Sequence, residues 1–320
     1  MNKRKLITIA GGCFNEVENM QELYERCCKV IDDFPQYDFQ FLFSDNCSTD
    51  GTRDIIRQLA AKDKRVKAIF NSANFGHIRS PFHGLMQADS DAVVSMCTDL
   101  QDPPELIGDM IREWEKGAKV VIAVRKKTEC SFVMECLRRF YYFLLKKSSS
   151  ADAVVSGFTG FGLYDRQFMD AVKQFNEPYP YFRGMVGEIG FKRVELPFVQ
   201  PERKHGTTKN NWFTLYDMAI NGFVNHSKLP LRLAVFCGTF LAIICLLVAL
   251  GYLVAKLIWW DTFSLGIAPL VIGIFFLAAM QLLFIGVLGE YIGAIWTQVK
   301  NKPLVIEEER INFDNKEDSN

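Results

Sequence analysis

Between residues 5 and 125 short apolar runs alternate with longer amphipathic segments. The runs at 6–13, 39–43, 66–70, 92–96 and 119–124 are short and predominantly apolar, which predicts buried strands. The segments between them, at about 18–33, 52–62, 78–87 and 104–115, repeat apolar residues every three to four positions and predict helices, the last with proline in its first turn. Strand and helix in alternation predict an α/β fold with a mostly parallel sheet covered on both sides. In such sheets ligands bind beyond the carboxyl ends of the strands.

A different pattern begins near residue 229. Residues 229–299 hold only four charged side chains, Arg232, Lys256, Asp261 and Glu290. Two uncharged runs, 233–255 and 262–289, contain 23 and 28 residues. At about 1.5 Å per residue each can cross a hydrocarbon core of about 30 Å. Trp259 and Trp260 lie between them, where headgroups would be met. The pattern predicts a transmembrane hairpin. Lys228 and Arg232 precede the first run and Lys300 and Lys302 follow the second, so the positive-inside rule predicts that both termini are cytoplasmic. The expected organisation is an α/β domain over 1–210, a juxtamembrane segment over 211–232, the two spans, and a cytoplasmic tail over 300–320, of which the polar 307–320 is expected to be loose. The basic start Lys3-Arg4-Lys5 is followed by too short an apolar run for a signal peptide and is assigned to the first strand.

Composition sharpens this outline. The 37 basic and 37 acidic residues cancel, which gives no support for a nucleic-acid partner. A charge-poor block beside an ordinary soluble composition excludes a single globular domain, a disordered chain and a small disulfide scaffold. Nine cysteines, an odd number without a Cys-x-x-Cys pair, fit a reducing compartment and argue against structural zinc.

The candidate chemistry falls at the carboxyl ends of the predicted strands. Strand one leads into Phe14-Asn15-Glu16, strand two into Asp45-Asn46-Cys47-Ser48-Thr49-Asp50-Gly51-Thr52, strand three into Asn74-Phe75-Gly76-His77, and strand four into Asp99-Leu100-Gln101-Asp102-Pro103-Pro104-Glu105. Ser48 or Asp50, and Asp102, are suited to cap the helices that follow. Capping does not account for Asp45, Asn46, Asp99 and Gln101. A carboxylate can accept the N–H of a uracil-like base or a ribose hydroxyl, and Asp99 with Gln101 offers oxygen ligands for a hard cation bridging a diphosphate. A nucleotide-diphosphate site accounts for all four loops.

These motifs, taken in order, resemble glycosyltransferase family 2, and most of all its polyprenyl-phosphate glycosyltransferases, the relatives of dolichol-phosphate mannose synthase. The likeness continues through Arg183-Gly184, Gly206-Thr207-Thr208-Lys209, Lys228-x-Pro230-Leu231-Arg232 and Gly289-Glu290-Tyr291-Ile292-Gly293, and so spans nearly the whole chain. It implies a GT-A fold with a Rossmann-like, mostly parallel sheet, a nucleotide-sugar donor (a UDP-sugar favoured), Mg2+ or Mn2+, and a polyprenyl phosphate such as undecaprenyl phosphate as acceptor. The implied activity is inverting, metal-dependent hexose transfer at the inner membrane, giving a lipid-linked sugar for the cell envelope. By motif matching, Phe14, Asn15, Glu16, Asp45, Asn74, Asp99 and Gln101 bind the donor, and Asp99 and Gln101 hold the metal. Asp99, Arg203 and Lys209 serve catalysis, while Arg183, Arg203 and Lys209 meet the acceptor phosphate.

Two positions depart from the family pattern. Cys97-Thr98-Asp99 replaces the usual Asp-x-Asp, and a thiol is a poor ligand for magnesium or manganese. Thr159-Gly160-Phe161-Gly162-Leu163 replaces a Gly-Asp-Phe-Arg-Leu segment, with glycine at both polar positions. A lipid monophosphate, largely dianionic at neutral pH, needs no general base, so an active transferase remains the leading reading. A transferase with another lipid or protein acceptor, or an inactive nucleotide-sugar-binding membrane protein, stands as the alternative. The absence of a Gln-x-x-Arg-Trp motif and of further spans argues against a processive polysaccharide synthase. Three features carry two readings each. The loop Arg203-Lys204-His205 through Lys209 is a phosphate clamp or a patch for anionic lipid. Residues 131–147, aromatic and ending in Lys146-Lys147, form an interfacial or a core helix. Gly289-x-x-x-Gly293 packs within the chain or between copies in a homo-oligomer.

Overall fold

The computed structural model describes residues 4–126, 157–175, 177, 180–201, 229–258, 267–300 and 302–313. The chain divides into two compact units, residues 1–210 with 301–320, and residues 211–300.

The first unit is built on an eight-stranded sheet. Its strands are β1 (Leu6–Cys13), β2 (Asp38–Asp45), β3 (Val66–Asn71), β4 (Ala92–Cys97), β5 (Val120–Arg125), β6 (Phe158–Asp165), β7 (Arg193–Phe198) and β8 (Glu307–Ile311), in the spatial order β7-β5-β6-β4-β1-β2-β3-β8. The central β4-β1-β2-β3 block is parallel, as the alternating pattern predicts. Strand β6 runs antiparallel between β4 and β5, which makes β5 and β7 parallel to the central block. The carboxyl ends of β1 to β5 and β7 therefore share one edge.

The helices α1 (Val17–Ile31), α2 (Thr52–Lys62), α3 (Gly76–Met86), α4 (Leu106–Glu115), α5 (Arg166–Val172) and α6 (Phe182–Glu188) cover the sheet. Alternate strand residues feed two cores. On one face Ile7, Ile9, Phe41 and Phe43 pack with Met20 and Leu23 of α1, Ile56 and Leu59 of α2, and Ile107 and Ile111 of α4. On the other Leu42, Ile69, Val93 and Ile122 meet Phe82 and Leu85 of α3, Phe168 of α5 and Met185 of α6. Helix α3 lies so close to the sheet that a Cβ on Gly84 would stand 2.5 Å from the Ser44 Cβ, and one on Gly12 would stand 2.7 Å from the Pro81 side chain. Only glycine permits that approach, which brings the start of α3 over the ends of β1 and β2.

Two expectations are corrected. Residues 307–311 are not part of a loose tail: they form β8, antiparallel to β3. The charged run Glu307-Glu308-Glu309-Arg310 finds partners on α2 and α3, with Arg53–Glu308 at 2.8 Å, Arg57–Glu309 at 2.7 Å and His83–Glu307 at 2.6 Å. Asp102 does not cap α4. Its carboxylate accepts the Cys97 N–H at 2.8 Å, while α4 begins after Glu105 without a side-chain cap.

The second unit contains two long apolar helices, α7 (Leu229–Ile258, 30 residues) and α8 (Ile267–Lys300, 34 residues). A Cβ at Gly238 would lie 3.8 Å from the Phe284 ring, and a hydrogen bond joins the Tyr291 side chain to the Leu231 backbone, so the helices pack antiparallel. Their outward residues include Phe236, Phe240, Leu247 and Leu282, each at least 60% exposed. Among the described residues one segment, Phe276–Gly293 in α8, is long and apolar enough to cross a membrane, with a mean hydropathy of 1.7.

Candidate functional site

The four loops at the carboxyl edge are stitched together by their own polar side chains. Asn15 takes a left-handed conformation, φ 57°, which turns the chain sharply after β1. Its N–H donates to Ser48 Oγ at 2.9 Å, and its Oδ1 accepts the Thr49 N–H at 2.9 Å. The Glu16 N–H donates to Thr52 Oγ1 at 2.9 Å, and the Glu16 carboxylate accepts from Asn19 Nδ2 at 2.6 Å. Asp50 accepts from the Thr52 N–H at 3.0 Å and the Val17 N–H at 3.2 Å. It thus satisfies an open donor at the start of each of α1 and α2, although the cap residue of α2 is Gly51, at φ 97°. These bonds hold the Asp50 carboxyl below its ordinary range despite burial that works to raise it. Farther along the edge, Asn46 Nδ2 donates to Asn74 Oδ1 at 2.8 Å, and Asn46 Oδ1 accepts the Phe75 N–H at 2.9 Å.

At the centre lies Asp45, the last residue of β2 and fully buried. Its Oδ2 accepts from Arg53 Nε at 2.6 Å and from the Ser48 N–H at 3.0 Å. Its Oδ1 has no partner. Among the described residues three other buried side-chain atoms share that condition: Asn19 Oδ1, Asn71 Oδ1 and Thr159 Oγ1. Asn71 ends β3, Asn19 stands in the first turn of α1, and Thr159 is the second residue of β6, which starts where β5 ends. All four orphans therefore belong to the carboxyl edge. Buried polar atoms in folded chains are nearly all paired, so these four call for a water or a ligand at this edge.

The loop after β4 is the acidic side of the site. Asp99 is half-buried, and its Oδ1 accepts the Gln101 N–H at 3.2 Å across Leu100, at φ 62°. Asp102 is buried beneath it, and burial, with the neighbouring Asp99 charge, pushes its carboxyl up to about 6. Cys97 is exposed at the end of β4. Among the described residues no group of three or more His, Cys, Asp or Glu side chains gathers as a metal cage. Asp99 and Gln101 suit a hard cation that keeps most of its sites for water and phosphate oxygens, the usual arrangement for magnesium with a nucleotide. Across the edge stands Arg183, exposed on α6, near enough for its charge to act on both His77 and Cys97. Burial and that cation together hold the His77 imidazole below its ordinary value, which favours its neutral form.

The sequence-predicted residues Phe14, Asn15, Glu16, Asp45, Asn74, Asp99 and Gln101 thus fall on one edge, with Arg183. Arg203, Lys204, His205, Lys209 and the segment 131–147 lie outside the described residues. The sequence reading did not single out Arg53. A cation in the first turn of a helix opposes the helix dipole, and that is the signal by which a buried acidic partner could have been suspected. Gly160 takes φ 107°, and a Cβ at Gly162 would stand 2.5 Å from the Val121 carbonyl oxygen, so the backbone there is shaped around glycine.

The family described as Glycosyl transferase family 2 matches residues 12–171. The chain is 34% identical over 319 residues to an uncharacterized glycosyltransferase, YkcC, of Bacillus subtilis, covering 99% of this chain and 97% of that protein. It is 30% identical over 300 residues to a prophage-derived bactoprenol glucosyl transferase of Shigella flexneri, covering 94% and 96%. Among solved structures, a mannosyltransferase of Pyrobaculum calidifontis in complex with GDP-Man and Mn2+ aligns with a TM-score of 0.48 and 16% identity, over 94% of this chain and 88% of that one. With a parallel core, a polar carboxyl edge and relatives matching end to end, the chain belongs to glycosyltransferase family 2 and is a glycosyltransferase.

Proposed function

We propose that the protein moves a hexose from a nucleotide-diphosphate sugar, in first place a UDP-sugar, to a polyprenyl phosphate at the cytoplasmic face of a membrane. The observation that carries this reading is the gathering of every unpartnered buried side-chain polar atom of the described residues at one edge, with the Asp45 carboxylate among them. An unpaired carboxylate oxygen calls for a ligand N–H or O–H, which the imide of a uracil-like base or a ribose hydroxyl supplies. Asn15 and Glu16 shape the neighbouring loop, Asn74 closes the far side, and Phe14 adds an apolar wall. Asp99 and Gln101 would hold a divalent cation, magnesium or manganese, whose chemistry is to neutralise the diphosphate as it leaves.

The acceptor side follows from charge. A lipid monophosphate has a second pKa near 6 and is a ready nucleophile at neutral pH. Its oxygen forms a bond to the anomeric carbon as the bond from that carbon to the diphosphate breaks, with inversion. No proton need be removed, so glycine at 160 and 162 costs the reaction nothing. Arg183, with Arg203 and Lys209, holds the acceptor phosphate by charge-assisted hydrogen bonds and keeps it in line with the sugar.

Chain topology supports a membrane hairpin. The chain leaves the sheet after β7 and re-enters before β8, and both connections lie at the carboxyl edge, where Val199 and Ile306 are exposed. Two segments of one sheet must lie on the same side of a bilayer, so the helices between them cross an even number of times. Two crossings by α7 and α8 satisfy this and leave both flanks cytoplasmic. A Cβ at Gly289 would meet nothing within 4 Å, and Gly289 with Gly293 forms the small-xxx-small surface through which a second copy of the chain would pack.

The test is incubation of membranes carrying the protein with labelled nucleotide sugars and polyprenyl phosphate, with and without chelator. Label is expected in the lipid fraction, lost on chelation. Nucleotide binding without lipid labelling for any donor would overturn the proposal, and product mass would reveal a different acceptor.

A further inference from the structure

The nucleoside side of the site is held from a distant part of the chain. Arg53 Nε bonds Asp45 Oδ2, Arg53 Nη2 donates to the Asn71 carbonyl at 2.5 Å, and Arg53 Nη1 reaches Glu308 Oε2 at 2.8 Å. The guanidinium also lies over the Phe70 ring, 5.2 Å from its centroid. It is thereby fixed in a plane that engages one oxygen of Asp45 and leaves the other open. Of these partners Glu308 alone belongs to β8, 255 residues from Arg53, just after the apolar helices. Its charge completes the balance of a cation set between a buried carboxylate and a helix start that disfavours it.

We infer that Glu308 and Arg53 are positioning residues of the donor site: β8 clamps the Arg53 guanidinium against Asp45 so that Asp45 Oδ1 faces the base. The proposal rests on the reading of Asp45 as a nucleoside ligand. It differs from a simple role in strand docking, because β8 has other anchors. The Ser72 N–H donates to the Ile306 carbonyl at 3.0 Å, Asn312 Nδ2 donates to the Ala60 and Val66 carbonyls at 2.8 Å each, and Glu309 pairs with Arg57. The Glu308 carboxylate can therefore be altered with the strand in place.

The experiment is calorimetric titration of the full chain, in detergent micelles, with UDP and separately GDP, alongside steady-state kinetics with the nucleotide sugar that labels lipid. Glu308→Gln is expected to weaken nucleotide binding and raise the donor KM about three- to fivefold, the effect of losing one partly exposed ion pair, with kcat within about twofold. Glu308→Asp is expected to recover part of the loss. Glu309→Gln, an equal charge change on the same strand, is expected to leave binding and KM unchanged. If Asp45→Asn abolishes binding while Glu308→Gln binds as the parent does, the positioning role is wrong and the donor reading stands. If Glu309→Gln matches Glu308→Gln, the effect is general docking of β8 and the proposal is overturned. If Asp45→Asn also binds as the parent does, the reading of Asp45 itself fails, and this proposal with it.

Discussion

Asp45 shows how one residue's environment sets its use. A buried carboxylate with a cation on one oxygen and nothing on the other is stable only where a ligand or water meets the second. Asp45→Asn keeps the shape, removes the charge that answers Arg53, and is expected to reduce nucleotide affinity at least tenfold in a titration with UDP, about 1.4 kcal/mol or more. Asp99→Asn is expected to lower metal-dependent turnover by a factor of about 100 or more, since it removes the one negative charge that the proposed pair offers the cation and leaves two neutral amide oxygens. An unchanged rate would mean that the cation is held elsewhere. Restoring the family's usual carboxylate by Gly160→Asp is expected to add no activity and to destabilise the domain by about 1–3 kcal/mol, because φ 107° strains any side chain. Denaturant titration reads the cost, and the lipid-labelling assay reads the activity. At this scale the sequence singles out Asp45, Asp99 and Gln101 because they stand at, or within four residues of, the carboxyl ends of strands in a predicted parallel sheet, and the structure keeps them on that edge. Arg53 was not, because the partner that explains it stands eight residues earlier, and the other 255 residues later.

Among the elements, continuous apolar runs announced β1 to β5, and the helices between them followed their apolar spacing. The strands at the two sheet edges did not stand out. β7 is short, with Arg193, Glu195 and Pro197 among its six residues, and β8 reads Glu-Glu-Glu-Arg-Ile, which has the composition of a solvated tail. Edge strands carry such charges to discourage pairing with other chains, so the feature that hides β8 in the sequence is the one that suits it to its place. Its docking should respond to acid. Burial works to raise the Glu307 carboxyl, but hydrogen bonds from Arg310 and His83 outweigh it and hold the group below its ordinary value of 4.5. A depressed carboxylate contributes stability above the unfolded-state value and loses it as pH falls through the lower folded-state value. The melting temperature of the parent is therefore expected to exceed that of Glu307→Gln by a constant margin above about pH 5, and the margin is expected to close as pH falls below about 4. A margin independent of pH would refute this account of the contact.

For the molecule as a whole, sequence hydropathy suggested two apolar segments, and the structure presents them as antiparallel helices inserted between the seventh and eighth strands of one sheet. Reporter tags fused to the two termini are expected to fall on the same side of the membrane, the cytoplasmic one. Protease protection of intact and inverted vesicles reads this directly, and tags on opposite sides would exclude paired crossings. The basic loop around Arg203 and Lys209 belongs to this scale too. It lies outside the described residues and is known only as charge and spacing in the sequence.

The place of β8 in the chain also sets an order of manufacture. A ribosome delivers residues 307–311 only after both apolar helices have emerged, so the open side of β3 waits unpaired while the hydrophobic segments find their solvent. Arg53 lacks Glu308 for the same interval. The carboxyl edge around Asp45 is then completed only after the apolar helices are made, and a chain interrupted before β8 would carry those helices without the strand that pairs with β3 and reaches Arg53.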